Sequence, residues 1–207
     1  MIIFDLDGTL WDTTQVTYIS ANNVAARHDE VNSFSMKTIK NGMGLSFDEN
    51  TKQYMPYLNQ EDSSKYLDEI IDENIKNIKQ DGAILYDGVI DTIKYLSQKY
   101  KLGIITNNND EYVEAFFKTS GLKSYFTDYM GAASYNITKG SAIKIMVTRN
   151  KTEDNYYVGD ILNDKLSSQE AGVKFIHARY GFGHNFDSEY YIDKISDLLS
   201  LLNKIKR

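Results

Sequence analysis

The sequence predicts an α/β fold: a Rossmann-like parallel sheet flanked by helices, with a small α-helical cap inserted into it. Three observations predict it. The chain opens on Ile2-Ile3-Phe4, an apolar run without polar alternation that reads as a strand buried on both faces. From residue 88 onward, short apolar runs alternate with helical stripes, the pattern of parallel strands joined by crossover helices. Between them, residues 33–82 are polar, rich in Asn, Lys and Tyr, and hold no convincing parallel-sheet strand. The predicted core domain is therefore residues 1–13 and 84–207, and the predicted helical cap domain is residues 14–83.

The first strand delivers two carboxylates, Asp5 and Asp7, to its own C-terminal end, and in an open parallel sheet ligands bind at that end. Gly8 and Thr9 then turn the chain, with glycine leaving room for a ligand to approach. Val16, Ile19, Val24 and Ala25 stand at helical spacing, and Asp12 or Thr13 can cap that helix. Farther on, Ser46 and Glu49 fit a capping box, while Leu67, Ile70, Ile71, Ile75 and Ile78 trace one helical face that Gly82 stops. Trp11-Asp12 and Tyr86-Asp87-Gly88, where cap and core join, are candidate hinges, with Trp11 equally suited to interface packing. Val89, Ile93, Leu96 and Tyr100 make the next stripe, followed by a strand at 102–105. Val113, Phe116 and Phe117 mark a helix closed by Gly121. A strand at 129–133, a helix at 142–147 and strands at 156–158 and 173–176 come next. Ile195, Leu198, Leu199, Leu202 and Ile205 make a last helix.

Composition bounds the chemistry. The chain has 207 residues, 42% of them hydrophobic, enough for one sizeable α/β core plus an insertion. With no cysteine it has no disulfide, thiolate nucleophile or cysteine zinc site. It begins directly on a core strand without a basic leader, and no apolar run is long enough to span a bilayer, so a soluble, cytoplasmic protein is expected. A net charge of -6 with no strong Lys/Arg block argues against a nucleic-acid scaffold, though a small phosphorylated substrate needs only a local positive site. No oligomeric state follows from the sequence.

Two neighbouring carboxylates such as Asp5 and Asp7 repel each other when ionised and need a cation or a shared proton. Magnesium, which sits on one or two carboxylates and keeps waters and phosphate oxygens, meets that need. A second acidic pattern, Val158-Gly159-Asp160-Ile161-Leu162-Asn163-Asp164, comes after an apolar strand at the far end of the chain. Asp160 falls at the strand end, and Asp164 lies about one helical turn later, able to reach the same site. The plainer reading makes Asp160 a helix cap and Asp164 a charge that offsets the helix dipole.

With Asp5-Leu6-Asp7-Gly8-Thr9-Leu10 at one end and this pattern at the other, the chain resembles the haloacid dehalogenase superfamily over nearly all its length. The resemblance is to its phosphatase form, the phosphoglycolate phosphatase and β-phosphoglucomutase-like group with a helical cap after the first strand. It implies that Asp5 is the nucleophile and Asp7 the acid and base. Magnesium would be held by Asp5, Asp7 through its carbonyl, and Asp160, with Asp164 as a water-bridged or outer ligand. It assigns phosphate binding to Thr106 and Asn107 in Thr106-Asn107-Asn108, a segment that chemistry alone reads as a turn and helix cap. It assigns Lys139, in Ile137-Thr138-Lys139-Gly140, to charge neutralisation. A lysine at a helix start would repel the dipole unless an anion offset it, which favours that role. Many relatives have Lys-Pro where this chain has Lys-Gly, so a less well-defined helix start is expected, with Lys144 as the fallback.

The expected function is magnesium-dependent hydrolysis of a small phosphomonoester through an aspartyl-phosphate. A sugar-phosphate mutase using the same Asp pair and a non-enzymatic binding or regulatory protein are the alternatives. Dehalogenation is disfavoured, since a halide needs no acid such as Asp7. Substrate choice is expected to lie in the cap, where Asn41-Gly42-Met43-Gly44-Leu45 offers Met43 on a turn between glycines, unless this is a plain helix–helix turn. His184, on the glycine-rich stretch after the last core strand, is a second candidate for substrate contact. His28 and His177 read as surface or packing residues.

Overall fold

In the computed structural model, which describes residues 1–184 and 186–205, the opening strand β1 (Ile2–Phe4) leads into β2 (Trp11–Asp12). The helices α1 (Thr14–Ala25), α2 (Met36–Gly42), α3 (Phe47–Tyr54) and α4 (Gln60–Asp81) come next, without an intervening strand. Then come β3 (Ile84–Leu85), α5 (Val89–Ser97), β4 (Leu102–Thr106), α6 (Asp110–Ser120), β5 (Asp128–Gly131) and α7 (Lys139–Asn150). The chain closes with β6 (Tyr156–Gly159), α8 (Leu162–Glu170), β7 (Lys174–Ala178), β8 (Tyr190–Ile192) and α9 (Asp197–Ile205).

Six strands form one parallel sheet in the order β5-β4-β1-β6-β7-β8. Because successive side chains on a strand point to opposite faces, Ile2 and Phe4 enter one apolar cluster with α5, α6 and α9. Ile3 enters another with Ala142, Ile143 and Met146 of α7. This explains why the run carries no polar alternation: both faces of β1 are covered. The register sets Phe4 beside Ile104 on one flank and Val158 on the other, so β1, β4 and β6 end together. Asp5 just past β1, Thr106 at the end of β4 and Asp160 just past β6 are therefore close together.

The helices between β2 and β3 surround a third apolar cluster that includes Ala21, Ile39, Met55, Leu67 and Ile70. The capping box at Ser46 and Glu49 starts α3, with the Ser46 amide donating to Glu49 at 2.9 Å. Helix α4 belongs to two clusters, with Leu67 and Ile70 in this one and Ile75 and Ile78 in the core, and it stops at Gly82, whose φ is +78°. Trp11-Asp12 pairs with the residues just before Tyr86-Asp87-Gly88: Trp11 lies opposite Leu85 and Asp12 opposite Ile84 in a short antiparallel ribbon. Trp11 is fully buried and packs edge-on against Tyr112 and Phe116, so it anchors this ribbon to α6.

Several boundaries differ from the sequence reading. The strand expected at 129–133 ends at Gly131, where a side chain would collide with the Asn109 backbone, and the chain turns into a 3-10 segment at Ala132–Tyr135. The helix expected at 142–147 begins earlier, at Lys139, because Thr138 caps it by accepting the Ser141 amide at 3.1 Å. The start is thus well defined without proline. Neither the β2–β3 ribbon nor β8 is visible in the sequence pattern; both are too short to carry one. No helix among the described residues is long and apolar enough to cross a membrane.

Candidate active site

The ends of β1, β4 and β6 and the starts of α7 and α8 bring Asp5, Asp7, Thr106, Lys139, Asp160 and Asp164 together, all buried. Three carboxylates, from Asp5, Asp160 and Asp164, offer oxygens within 4.8 Å of one another. Lys139 lies between two of them, 3.2 Å from Asp5 Oδ1 and 2.7 Å from Asp164 Oδ1. Asp164 spends its other oxygen on the backbone, accepting the amides of Asp160 at 3.0 Å and Ile161 at 3.1 Å. It therefore builds the turn and orients the lysine. Asp160 Oδ2 accepts the Phe182 amide at 2.6 Å, and the Asp160 carbonyl is within 3.1 Å of His177 Nε2.

Two oxygens remain: Asp5 Oδ2 and Asp160 Oδ1 are buried without a hydrogen-bond partner. A bare carboxylate oxygen in a buried site is costly unless a cation or proton meets it. Four buried carboxyls (Asp5, Asp7, Asp160 and Asp164) face one ammonium, and the titration behaviour reflects this imbalance. Burial pushes Asp5 up to about 8, against the attraction of Lys139, and Asp160 is raised well above its ordinary range by burial and then by Asp164. Burial alone would discharge Lys139, yet Asp164 and Asp5 hold its ammonium above the ordinary lysine range. An all-oxygen set with two unpaired anionic atoms and excess negative charge fits a hard divalent cation.

The Asp7 carboxylate points elsewhere. Its Oδ1 accepts from the Thr13 hydroxyl at 2.6 Å and the Tyr112 hydroxyl at 2.7 Å, while Asn108 Nδ2 lies 3.5 Å from Oδ2. Burial raises the Asp7 carboxyl, and the Thr13 and Tyr112 hydrogen bonds partly restrain it. Asp5 and Asp7 thus occupy different environments, one beside an ammonium and one beside neutral hydroxyls. Such divergence separates the roles of two carboxyls.

Gly8 makes the crowding possible. It has φ +79°, and a side chain on it would lie 2.1 Å from Asp160 Oδ2. Gly181 and Gly183 press on Asp160 from the opposite loop in the same way. That loop therefore serves the site through glycines and the Phe182 amide; His184 is exposed and does not line the cavity above the carboxylates. Thr106 is buried, with Oγ1 accepting the Asn108 amide at 3.2 Å. The Asn107 side chain turns away and donates to the Gly44 carbonyl at 3.0 Å, leaving its backbone amide as the group beside Thr106. Lys144 is exposed on α7. Met43 is buried in the helical cluster and lines the cavity; Gly42 ends α2, and Gly44, at φ +78°, makes the turn that follows.

The cavity, about 270 Å³, has Asp5, Asp7, Thr106, Asn107, Asn108 and Lys139 on its floor, and Met43, Phe47, Asn50, Tyr54, Leu67 and Asn74 among its upper walls. Sequence reasoning missed Thr13, Tyr112, Asn108, Phe182 and the buried His177. Thr13 was legible only as a helix cap, and Tyr112 was one of 16 tyrosines without a distinguishing pattern.

The model of the haloacid dehalogenase-like hydrolases matches residues 2–178. The chain belongs to this family of enzymes. A phosphoglycolate phosphatase of Vibrio vulnificus is 25% identical over 98% of this chain and 95% of its own, and the pyrophosphatase PpaX of Bacillus mycoides is 25% identical over 99% and 97%. Among solved structures, a haloacid dehalogenase-like family hydrolase of Streptococcus pneumoniae matches at TM-score 0.84 and 24% identity, covering 97% of both chains. CbbY of Rhodobacter sphaeroides, in complex with xylulose-1,5-bisphosphate, matches at TM-score 0.78 and 15% identity, covering 95% of each.

Proposed function

We propose that the chain is a magnesium-dependent phosphatase that hydrolyses a small phosphomonoester through an aspartyl-phosphate on Asp5, with residues 14–83 acting as a cap over the substrate. The observation that carries this reading is the pair of unpartnered oxygens, Asp5 Oδ2 and Asp160 Oδ1, on adjacent parallel strands beside the Lys139 ammonium. Asp5, Asp160 and the backbone carbonyl of Asp7 would hold magnesium, with Asp164 behind them. When bound, the ion supplies positive charge that offsets the phosphoryl group and the neighbouring carboxylates.

A carboxylate oxygen of Asp5 attacks phosphorus, and an acyl phosphate forms as the bond from phosphorus to the leaving oxygen breaks. Asp7, whose Oδ1 is occupied by Thr13 and Tyr112, donates its proton from Oδ2 to that departing oxygen. Water then attacks the phosphorus, Asp7 takes the water's proton, and Asp5 is regenerated as phosphate leaves. The Thr106 hydroxyl, the Asn107 amide and Lys139 steady the equatorial oxygens, because phosphoryl transfer depends chiefly on position and charge.

The test is release of phosphate from p-nitrophenyl phosphate. Chelation should stop it and magnesium should restore it. Failure to release phosphate at any magnesium concentration, by a protein with a cooperative melt, would contradict the reading.

A further inference from the structure

The substrates named in the relatives, phosphoglycolate and pyrophosphate, both leave as anions once the phosphoryl bond breaks: one keeps a carboxylate and the other is itself phosphate. A pocket built for such a leaving group needs a cation on the cap side, since an unpaired negative charge in a closed cavity is costly. Among the described residues lining this cavity, Lys139 is the only basic one, and it already pairs with Asp5 and Asp164. The charges at the upper walls are negative. Asp68 and Asp72 line the cavity one turn apart on α4, and the carboxyl of Asp68 is raised by partial burial and by its neighbour's charge. The adjoining cleft, which shares Phe47, Asp68, Asn107, Ala133 and Lys139 with the cavity, adds Asp48, Glu49 and Glu170, again with Lys139 as the only basic lining residue among those described.

Two uncharged amides on the cap side present acceptors. Asn50 donates its amide nitrogen to the Leu45 carbonyl at 3.4 Å, which fixes the orientation of the side chain and leaves Oδ1 buried and unpaired. Asn74, only 7% exposed, donates to Thr17 Oγ1 at 3.0 Å and also keeps a buried, unpaired Oδ1. Buried acceptors without partners favour a ligand that brings donors.

Resting on the phosphatase reading, we infer that the ester cleaved here carries its phosphoryl group on an alcohol with hydroxyl or amino donors and no second anionic group. Asn50 and Asn74 accept from those donors, and the acids of α4 turn away the anionic esters.

The experiment compares two nearly isosteric esters, 2-hydroxyethyl phosphate and phosphoglycolate, with pyrophosphate as a second anion and p-nitrophenyl phosphate as the general phosphatase substrate. The expected kcat/KM for 2-hydroxyethyl phosphate exceeds that for phosphoglycolate by about tenfold or more, a size in keeping with one unfavourable charge contact. The preference should shrink with added salt, because Asp68 and Asp72 are exposed. Asn50→Ala should reduce turnover of 2-hydroxyethyl phosphate more than that of p-nitrophenyl phosphate, narrowing the preference while the melting temperature reports folding. Parity, or a preference for phosphoglycolate or pyrophosphate, overturns the inference while the phosphatase reading stands. If none of the four compounds releases phosphate, both fall together.

Discussion

The floor and the upper walls of the cavity are built on different principles. On the floor, the register of three parallel strands brings Asp5, Thr106 and Asp160 together, and the unpartnered atoms, Asp5 Oδ2 and Asp160 Oδ1, belong to carboxyl groups beside a buried ammonium. The upper walls come from helices joined by loops and present apolar side chains, two uncharged amides with unpaired oxygens, and acids at the rim. A floor fixed by sheet geometry can serve one reaction across a family, while walls on a separate helical layer can vary with the substrate. On the proposed reading the reaction belongs to the floor and the choice of ester to the walls.

The largest expected effect breaks the floor. Asp5→Asn keeps the shape and removes the attacking charge, so kcat should fall by roughly a thousandfold or more, with the cooperative melt retained. Asp160→Asn neutralises one of the two unpaired oxygens. Magnesium titrations should then show the half-saturating concentration rising by roughly 10- to 100-fold.

Stability should report the same charge imbalance. With Asp5 pushed up to about 8 by burial from an ordinary 3.8, the folded chain keeps a proton between those values that the unfolded chain has released. Without metal, the melting temperature should therefore fall as pH rises from 4 to 8. Added magnesium should raise it more at pH 8 than at pH 5, and Asp5→Asn should flatten part of the slope. An equal magnesium effect at both pH values would contradict the cation site.

Smaller effects sharpen the contrast. Tyr112→Phe removes a donor that restrains the Asp7 carboxyl, so the acidic limb of the kcat profile should move to higher pH with little change in magnesium requirement. Met43 packs within the helical cluster, so a charge there would disturb that cluster. Met43→Leu keeps the volume and should change the ranking among natural esters by only about a few-fold, leaving the aryl phosphate unaffected.

Legibility in the sequence divides along the same line. The apolar Ile2-Ile3-Phe4 run, the paired acids after it and the Gly159-Asp160 turn announce strand ends, because a buried strand and a glycine with no room for a side chain leave few alternatives. Lys139 was legible through its conflict with the helix dipole, which Asp5 and Asp164 resolve. The partners of Asp7 were not legible. Thr13 and Tyr112 reach it from 6 and 105 residues away, through a fold that no local pattern encodes. Asn50 and Asn74 were equally silent, since an asparagine on a polar helix looks the same whether it faces solvent or a cavity. His184 attracted notice for its ring, whereas the glycines before it and the Phe182 amide are what the loop supplies.

The most direct test of the central claim, that Asp5 and Asp7 divide the work, is a rapid-mixing measurement on Asp7→Asn with p-nitrophenyl phosphate and magnesium. Nitrophenolate leaves without help from an acid, but release of the bound phosphoryl group needs a base. The expected result is a burst of about one equivalent of nitrophenolate per chain, followed by near arrest, with the phosphoryl group found on Asp5. Steady turnover at the unmodified rate, with no burst and no label on Asp5, would contradict it.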